Sequence, residues 1–432
     1  MSNNSNINLI LKWKEKYTKN KMLYNCIFLS FLFFLHCFWG GFSYIVFPIL
    51  AFFIITSNIE DGFSYICFGL PFYIINTDIS SYIYYISILL YIIKSFFIVF
   101  VKEKQKIDLK LLILILVFLC YILLPFGNYN KNWILKFCYF IFIFTAIIAL
   151  RHKPQIYNAE KNVKIISISL ILSSLLCLLQ PISTFLQSHT LLEIDITERF
   201  PALLGHPNTL AIFCEIILSA LTYFIIKKPS NKFNSVLFLA VSLIGIVTQS
   251  KIFIIILFFL LSILTFKFFK INKKITTLVI FAFLFFICLL IAVFPDFSTT
   301  LFNRFFDSLK IDSIYHFFDS LLTGRLDMWH DYLEYIFTHP KTLILGNGLG
   351  ANTIQTTFIN EIGDKVPCSI SPHNFYISLI YQLGIVGTLL LVSVIICSIK
   401  QIKTKPINKA ILIPIIVIAL IFLIEDSFLY IM

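Results

Sequence analysis

The sequence predicts an all-α, polytopic helical membrane protein with about 12–13 transmembrane helices and one large extracytoplasmic loop containing amphipathic helices. Three observations carry that expectation. Hydrophobic residues make up 59% of the 432 and charged residues only 13%, too little polar cover for a surface that faces water all round. Apolar runs of about 15–21 residues recur along the chain, the length a helix needs to cross hydrocarbon. The runs lack the strict alternation that a transmembrane barrel requires.

Candidate spans lie at 23–39, 43–57, 62–78, 82–101, 111–126, 133–150, 163–182, 207–226, 234–248, 252–266, 275–295, 374–398 and 408–424. The second and third are the least regular. The turn between them, Asn58 to Asp61, carries no basic residue, and the two runs could form a re-entrant pair instead. The chain then divides into a cytoplasmic N-terminal segment (1–22), an N-terminal transmembrane bundle (23–295), a large extracytoplasmic loop (296–373) and C-terminal transmembrane helices (374–432). The basic segment before the first span shows no small-residue cleavage site, so no cleavable signal peptide is expected. Nine of the ten cysteines lie in apolar runs and only Cys368 in the long loop. They read as small core hydrophobes, without CxxC or Cys/His metal spacing.

Lysine sets the orientation. The segments 1–22, 102–110, 151–164, 227–232, 267–274 and 399–409 hold 24 of the 34 Lys and Arg residues, which places them on the cytoplasmic side. Each successive pair of these segments encloses an even number of spans, so the assignment is consistent with itself. The formal net charge of +12 is thereby mostly topological, and nucleic acid drops out as a partner. Facing outward are 183–206, a tight turn at 249–251 and the long loop 296–373, which has five Lys/Arg against nine Asp/Glu.

The long loop is more than a linker. Leu326, Trp329, Leu333, Ile336 and Phe337 recur at helical spacing, predicting an amphipathic helix over 325–338 that ends at Pro340. Phe302, Phe305, Phe306 and Leu309, then Ile314, Phe317, Phe318 and Leu321, predict one or two more against the membrane surface.

Among 30 lysines and four arginines, three arginines fall outside (Arg199, Arg304, Arg325) and one inside (Arg151). An arginine offers a planar fork that grips phosphate or carboxylate through two parallel bonds. Arg304, near Asp307, reads as a salt-bridge partner. Arg199 precedes a segment leading straight into a span, and Arg325 opens the amphipathic helix; both read as candidate anion ligands. Lys251, at an outer turn between two short spans, is either a third such cation or a residue that snorkels.

His373 stands apart from His316, His330 and His339, which sit in amphipathic stretches. Pro372 precedes it and Asn374 is a good N-cap, so His373 falls at the outer end of a membrane helix. The positive end of the helix disfavours imidazolium. A neutral imidazole there is either a general base for a hydroxyl group or an interfacial capping residue, and the residues alone leave both readings open. GNGLG at 346–350 lacks the strand–turn–helix context of a dinucleotide site. It reads as a turn at Gly346 and Gly348 that lets backbone N–H groups approach a partner. No DxD, HExxH or paired-carboxylate pattern occurs, so no metal and no other cofactor is expected.

These pieces resemble, in order, the signature of the O-antigen ligase and O-antigen polymerase superfamily. They are TGRLDMW at 323–329, the His339-Pro340 turn, GNGLG, and PHNFYISLIYQLGIVG at 372–387. RFPALLGHPNTLA at 199–211 is similar to the family's Arg-x-x-Gly segment, and TQSKIFIII at 248–256 to its Ser-Arg turn, with Lys251 where arginine is usual. The resemblance covers roughly 160–400 and implies metal-independent, inverting glycosyl transfer on the outer face of the bacterial cytoplasmic membrane. Its donor would be an oligosaccharide on undecaprenyl pyrophosphate, its acceptor a second glycan. By carry-over, Arg199 and Arg325, with Lys251, would hold the pyrophosphate and stabilise its charge as it leaves. His373 would deprotonate the acceptor hydroxyl, with Asn374, Gly346 and Gly348 shaping the site. Membrane lipids and other polysaccharide-assembly proteins would be its partners. A ligase would pass the glycan to lipid A core or another acceptor. A flippase of the same lipid-linked sugar would instead place ionisable residues within spans, where Lys94 and Lys136 are the nearest candidates.

Overall fold

The structure, a computed structural model, describes residues 22–35, 43–72, 78–104, 108–124, 158–177, 207–269, 325–359 without 352, and 365–400, with isolated helical positions at 137, 140, 141, 144 and 418. The helices are α1 (Met22–Leu35), α2 (Ser43–Thr56), α3 (Ile59–Gly69), α4 (Asp78–Phe96), α5 (Leu109–Ile122), α6 (Ala159–Cys177), α7 (Pro207–Lys227), α8 (Lys232–Val247), α9 (Lys251–Phe269), α10 (Arg325–Thr338), α11 (Pro340–Leu345) and α12 (Phe375–Lys400). A 3-10 turn, Leu70–Phe72, follows α3, and a π-helical turn, Phe97–Lys102, extends α4. The expected spans at 275–295 and 408–424, the amphipathic stretches at 302–321 and the segment 183–206 lie outside the described residues, apart from position 418.

Helix is the rule, as the hydropathy pattern predicts, with one correction to the all-α expectation. Ile354–Ile359 (β1) and Lys365–Ile370 (β2) form an antiparallel ribbon in which Thr356 faces Cys368. Both are short, β1 is rich in β-branched residues, and the sequence between them holds Gly363 and Asp364, which is a hairpin pattern.

The largest core joins α1–α4 with α6–α9. Phe33 stacks on Phe72 at 4.1 Å and meets Phe47 edge-on at 5.8 Å. Helices α3 and α4 approach closely because small residues on one receive large rings from the other. Gly62 faces Tyr91 and Gly69 faces Tyr84, and both tyrosines donate onward to α3 carbonyls, those of Ile59 and Ile66. The described part of the third expected span is an 11-residue helix followed by a single further turn. Lys94 donates to the carbonyls of Ile55 and Ser57 at the end of α2, where unpaired carbonyls attract a cation. Lys94 therefore closes a helix terminus; Lys136 lies outside the described residues.

Two of the basic segments assigned to the cytoplasm meet at one end of this core. Glu160 receives hydrogen bonds from Lys164 and Lys228, each 2.9 Å, and from Asn231 at 3.0 Å. Lys161 reaches Asp61 at 2.9 Å and Glu60 at 3.3 Å. Hydrogen bonds from Lys228, then Lys164, hold the Glu160 carboxyl down at about 2. Burial alone would lower Lys161; the hydrogen bond and charge of Asp61, with Glu60, outweigh it and raise the ammonium.

The outward faces are apolar. On α4, Ile86, Leu89, Leu90 and Ile93 are exposed, followed by Phe97, a continuous stripe at helical spacing. Helices α5, α8 and α12 present similar stripes through Leu116, Val236 and Leu389. Patches of this extent mark a surface that meets something other than water.

Candidate functional site

A smaller unit gathers α5, α10, α11, the β ribbon and α12. Helix α10 spans the expected stretch, ending at Thr338 because His339 precedes Pro340, which opens α11; a residue before proline is pushed out of helical conformation. Arg325, Tyr332 and Ile336 are buried and Trp329 half-buried, whereas Leu333 and Phe337 are exposed. Tyrosine decides the rotation. Tyr332 meets the Tyr381 ring edge-on at 5.2 Å and its oxygen accepts from the Ile354 amide at 3.2 Å. A large ring with a polar tip does both jobs at once.

One hydrogen bond joins the helix that Arg325 opens to the segment that carries His373. The indole of Trp329 donates to the carbonyl of Pro372 at 2.8 Å. Arg325 lies one helical turn before Trp329, and His373 is the residue after Pro372. Asn374 is the expected cap: its side chain accepts from the amides of Tyr376 and Ile377 at 3.0 and 3.1 Å. His373, just outside the cap, is half-buried with φ of 44° and its Nδ1 shielded from solvent.

Helix α12 is broken at Gly384, where φ is 62° and ψ −176°. In an unbroken helix the carbonyls of Tyr381, Gln382 and Leu383 would accept from residues 385–387. Here they are served from outside. The Asn347 amide donates to Tyr381 at 2.9 Å and the Gly348 amide to Gln382 at 3.0 Å, while the Tyr121 hydroxyl lies 2.8 Å from the Leu383 carbonyl. The Gly350 amide adds a bond to the Gln382 side chain at 3.0 Å. The partner that the GNGLG amides approach is therefore the chain's own helix.

Lys251 lies in the other unit. It opens α9 after the tight turn Thr248–Ser250, as expected, with Gln249 at φ of 53° and Ser250 accepting from the Phe253 amide. Arg199 is outside the described residues. Two positions escaped the reading of the sequence. Tyr121 carries no signal there beyond being a lone tyrosine in an apolar run. Glu215 did carry one, an acidic residue within an expected span, and it is enclosed at 1% exposure in α7.

Two helices, Pro207–Lys227 and Phe375–Cys397, are long and apolar enough to cross a bilayer, and with the apolar outer stripes of α4, α5, α8 and α12 they point to a helical membrane protein. Within it, residues 235–392 match the family model of the O-antigen ligases. That stretch runs from the first turn of α8 to the later part of α12 and includes Lys251, Arg325, Gly346, Gly348, His373 and Asn374. The match bears out the resemblance read from the sequence and supports glycan ligase or polymerase chemistry on lipid-linked substrates. No curated protein and no solved structure matches the chain.

Proposed function

We propose that this protein polymerises lipid-linked polysaccharide repeat units on the outer face of the bacterial cytoplasmic membrane, by inverting glycosyl transfer from an undecaprenyl-pyrophosphate donor. The Trp329–Pro372 hydrogen bond is the observation that carries this reading, because it ties α10, which Arg325 opens, to the residue that precedes His373. With Nδ1 shielded, Nε2 of His373 takes the proton of the acceptor hydroxyl. The freed oxygen attacks the anomeric carbon as the bond to pyrophosphate breaks on the opposite face. Negative charge then grows on the leaving pyrophosphate, where the Arg325 fork and Arg199 meet it, and a fixed cation stabilises that state more than the ground state. Lys251 is proposed as a third cation for the same group. Gly346 and Gly348 serve by supporting α12, and Asn374 by ending it at the histidine.

Polymerase is preferred to ligase because the divergent Phe- and Ile-rich sequence suits an enzyme fitted to one repeat unit. A reading from a different class, a transporter of the same lipid-linked sugar, is favoured by one observation, the enclosed carboxyl of Glu215 at membrane depth.

Glycan profiling of a deletion strain complemented with wild type or His373→Ala tests all of these. Single-repeat caps on the surface are expected with His373→Ala. Full-length polymer stranded on its carrier would indicate a ligase, and donor retained on the cytoplasmic side a transporter. Normal glycan with His373→Ala would sink the catalytic reading.

A further inference from the structure

The Tyr121 hydroxyl does more than touch α12. It lies 2.8 Å from the Leu383 carbonyl and 2.9 Å from that of Leu345, sharing its proton between them, and its ring lies against Gly387. An ordinary helix would join Leu383 to Gly387 directly, carbonyl to amide. Here a side chain from α5 stands between the two, an insertion of the kind that produces a sharp bend. Gly387 makes room for it, since a Cβ there would lie 2.4 Å from the Tyr121 ring. The break leaves a short half-helix, Phe375–Leu383, headed by Asn374 and His373.

We propose that Tyr121 is a positioning residue of the transfer site, holding the break at Gly384 and thereby setting the direction of the half-helix that carries His373. The inference rests on the transferase reading above and names a residue outside the matched stretch. Each of the three carbonyls has two possible partners: the Asn347 and Gly348 amides with the Tyr121 hydroxyl, or the amides of residues 385–387. The Tyr121 bridge biases that choice toward the bent form. Without it the Leu383 carbonyl and the Gly387 amide are free to rejoin, the helix straightens, and the 346–350 loop loses its acceptors. His373 then moves with the half-helix, which spans roughly 13 Å at the usual rise per residue.

Tyr121→Phe keeps the ring and removes only the hydroxyl, so the packing beside Gly387 survives. The full-length protein and this variant are compared in vesicles of phosphatidylethanolamine and phosphatidylglycerol. Two readouts are taken: hydrogen exchange of the amides at 346–350, and transfer kinetics with an undecaprenyl-pyrophosphate-linked repeat unit. The variant should exchange those amides faster and lose about tenfold in kcat, with KM within about twofold, the pattern of a misplaced catalytic group. Unchanged exchange would overturn the bridge. Faster exchange with unchanged kcat would overturn its role in positioning. If the wild-type protein itself transfers no glycan, the transferase reading and the positioning role fall together, and the exchange arm still decides whether the bridge holds the bend.

Discussion

Gly346 and Gly384 meet backbone to backbone. A Cβ on Gly346 would lie 2.6 Å from the Gly384 amide nitrogen, and a Cβ on Gly384 would lie 2.6 Å from the Gly346 nitrogen. Both residues have positive φ, 78° and 62°. The loop and the broken helix are thus pressed together at the two positions where neither has a side chain, which is what lets the Asn347 and Gly348 amides reach α12.

Alanine at either glycine should separate the two. The positive φ with ψ near 180°, a region essentially confined to glycine, costs about 1–3 kcal/mol for a residue with a Cβ, and the overlap with main-chain atoms adds to it because no flexible side chain can yield. Gly346→Ala and Gly384→Ala should each lower the thermal unfolding midpoint of the purified protein by several degrees. A midpoint within a degree of wild type would show that the close approach is not held in the membrane.

Trp329→Phe removes the indole donor to Pro372 and keeps an aromatic ring. The lost hydrogen bond should cost about 1 kcal/mol of stability, a small change in unfolding midpoint. Transfer should suffer more, by about tenfold in kcat, because the start of α10 is no longer tied to His373. Equal kcat in the two proteins would remove the main support for placing Arg325 and His373 in one site.

Acid should loosen the ion-pair cluster around Glu160. The folded Glu160 carboxyl titrates at about 2, below its ordinary value of 4.5. Its contribution is fully present above 4.5 and is lost as pH falls toward 2. The unfolding midpoint of wild type should therefore decline through that window, and Glu160→Gln should decline less. Lys161 has the reverse sign: its raised value makes its contribution complete below 10.5 and lost only above that.

Hydropathy made the helices legible because a bilayer allows few alternatives: α7, α8 and α9 begin and end within a few residues of expectation. Local chemistry made the Asn374 cap, the Thr248–Ser250 turn and the end of α10 before Pro340 legible too, since each depends on neighbours in sequence. What stayed hidden depends on residues far apart in the chain. The rotation of α10 was set by Tyr332 against Tyr381, and an apolar-spacing rule that counted Leu333 and Phe337 could not see it. The break at Gly384 is written as an unremarkable Leu-Gly-Ile, and only the arrival of Asn347, Gly348 and Tyr121 explains it. Glu215 was visible as a carboxyl inside a span, but its enclosure was not.

The residues that meet at the Leu383 carbonyl lie 262 positions apart in the chain. During synthesis α5 emerges long before α12, so its hydroxyl is in place when the broken helix arrives. A fragment cut to residues 235–392 would contain the whole histidine-bearing arm and still lack an atom needed to complete its own ladder. The boundaries of the recognisable stretch are not those of an autonomous folding unit.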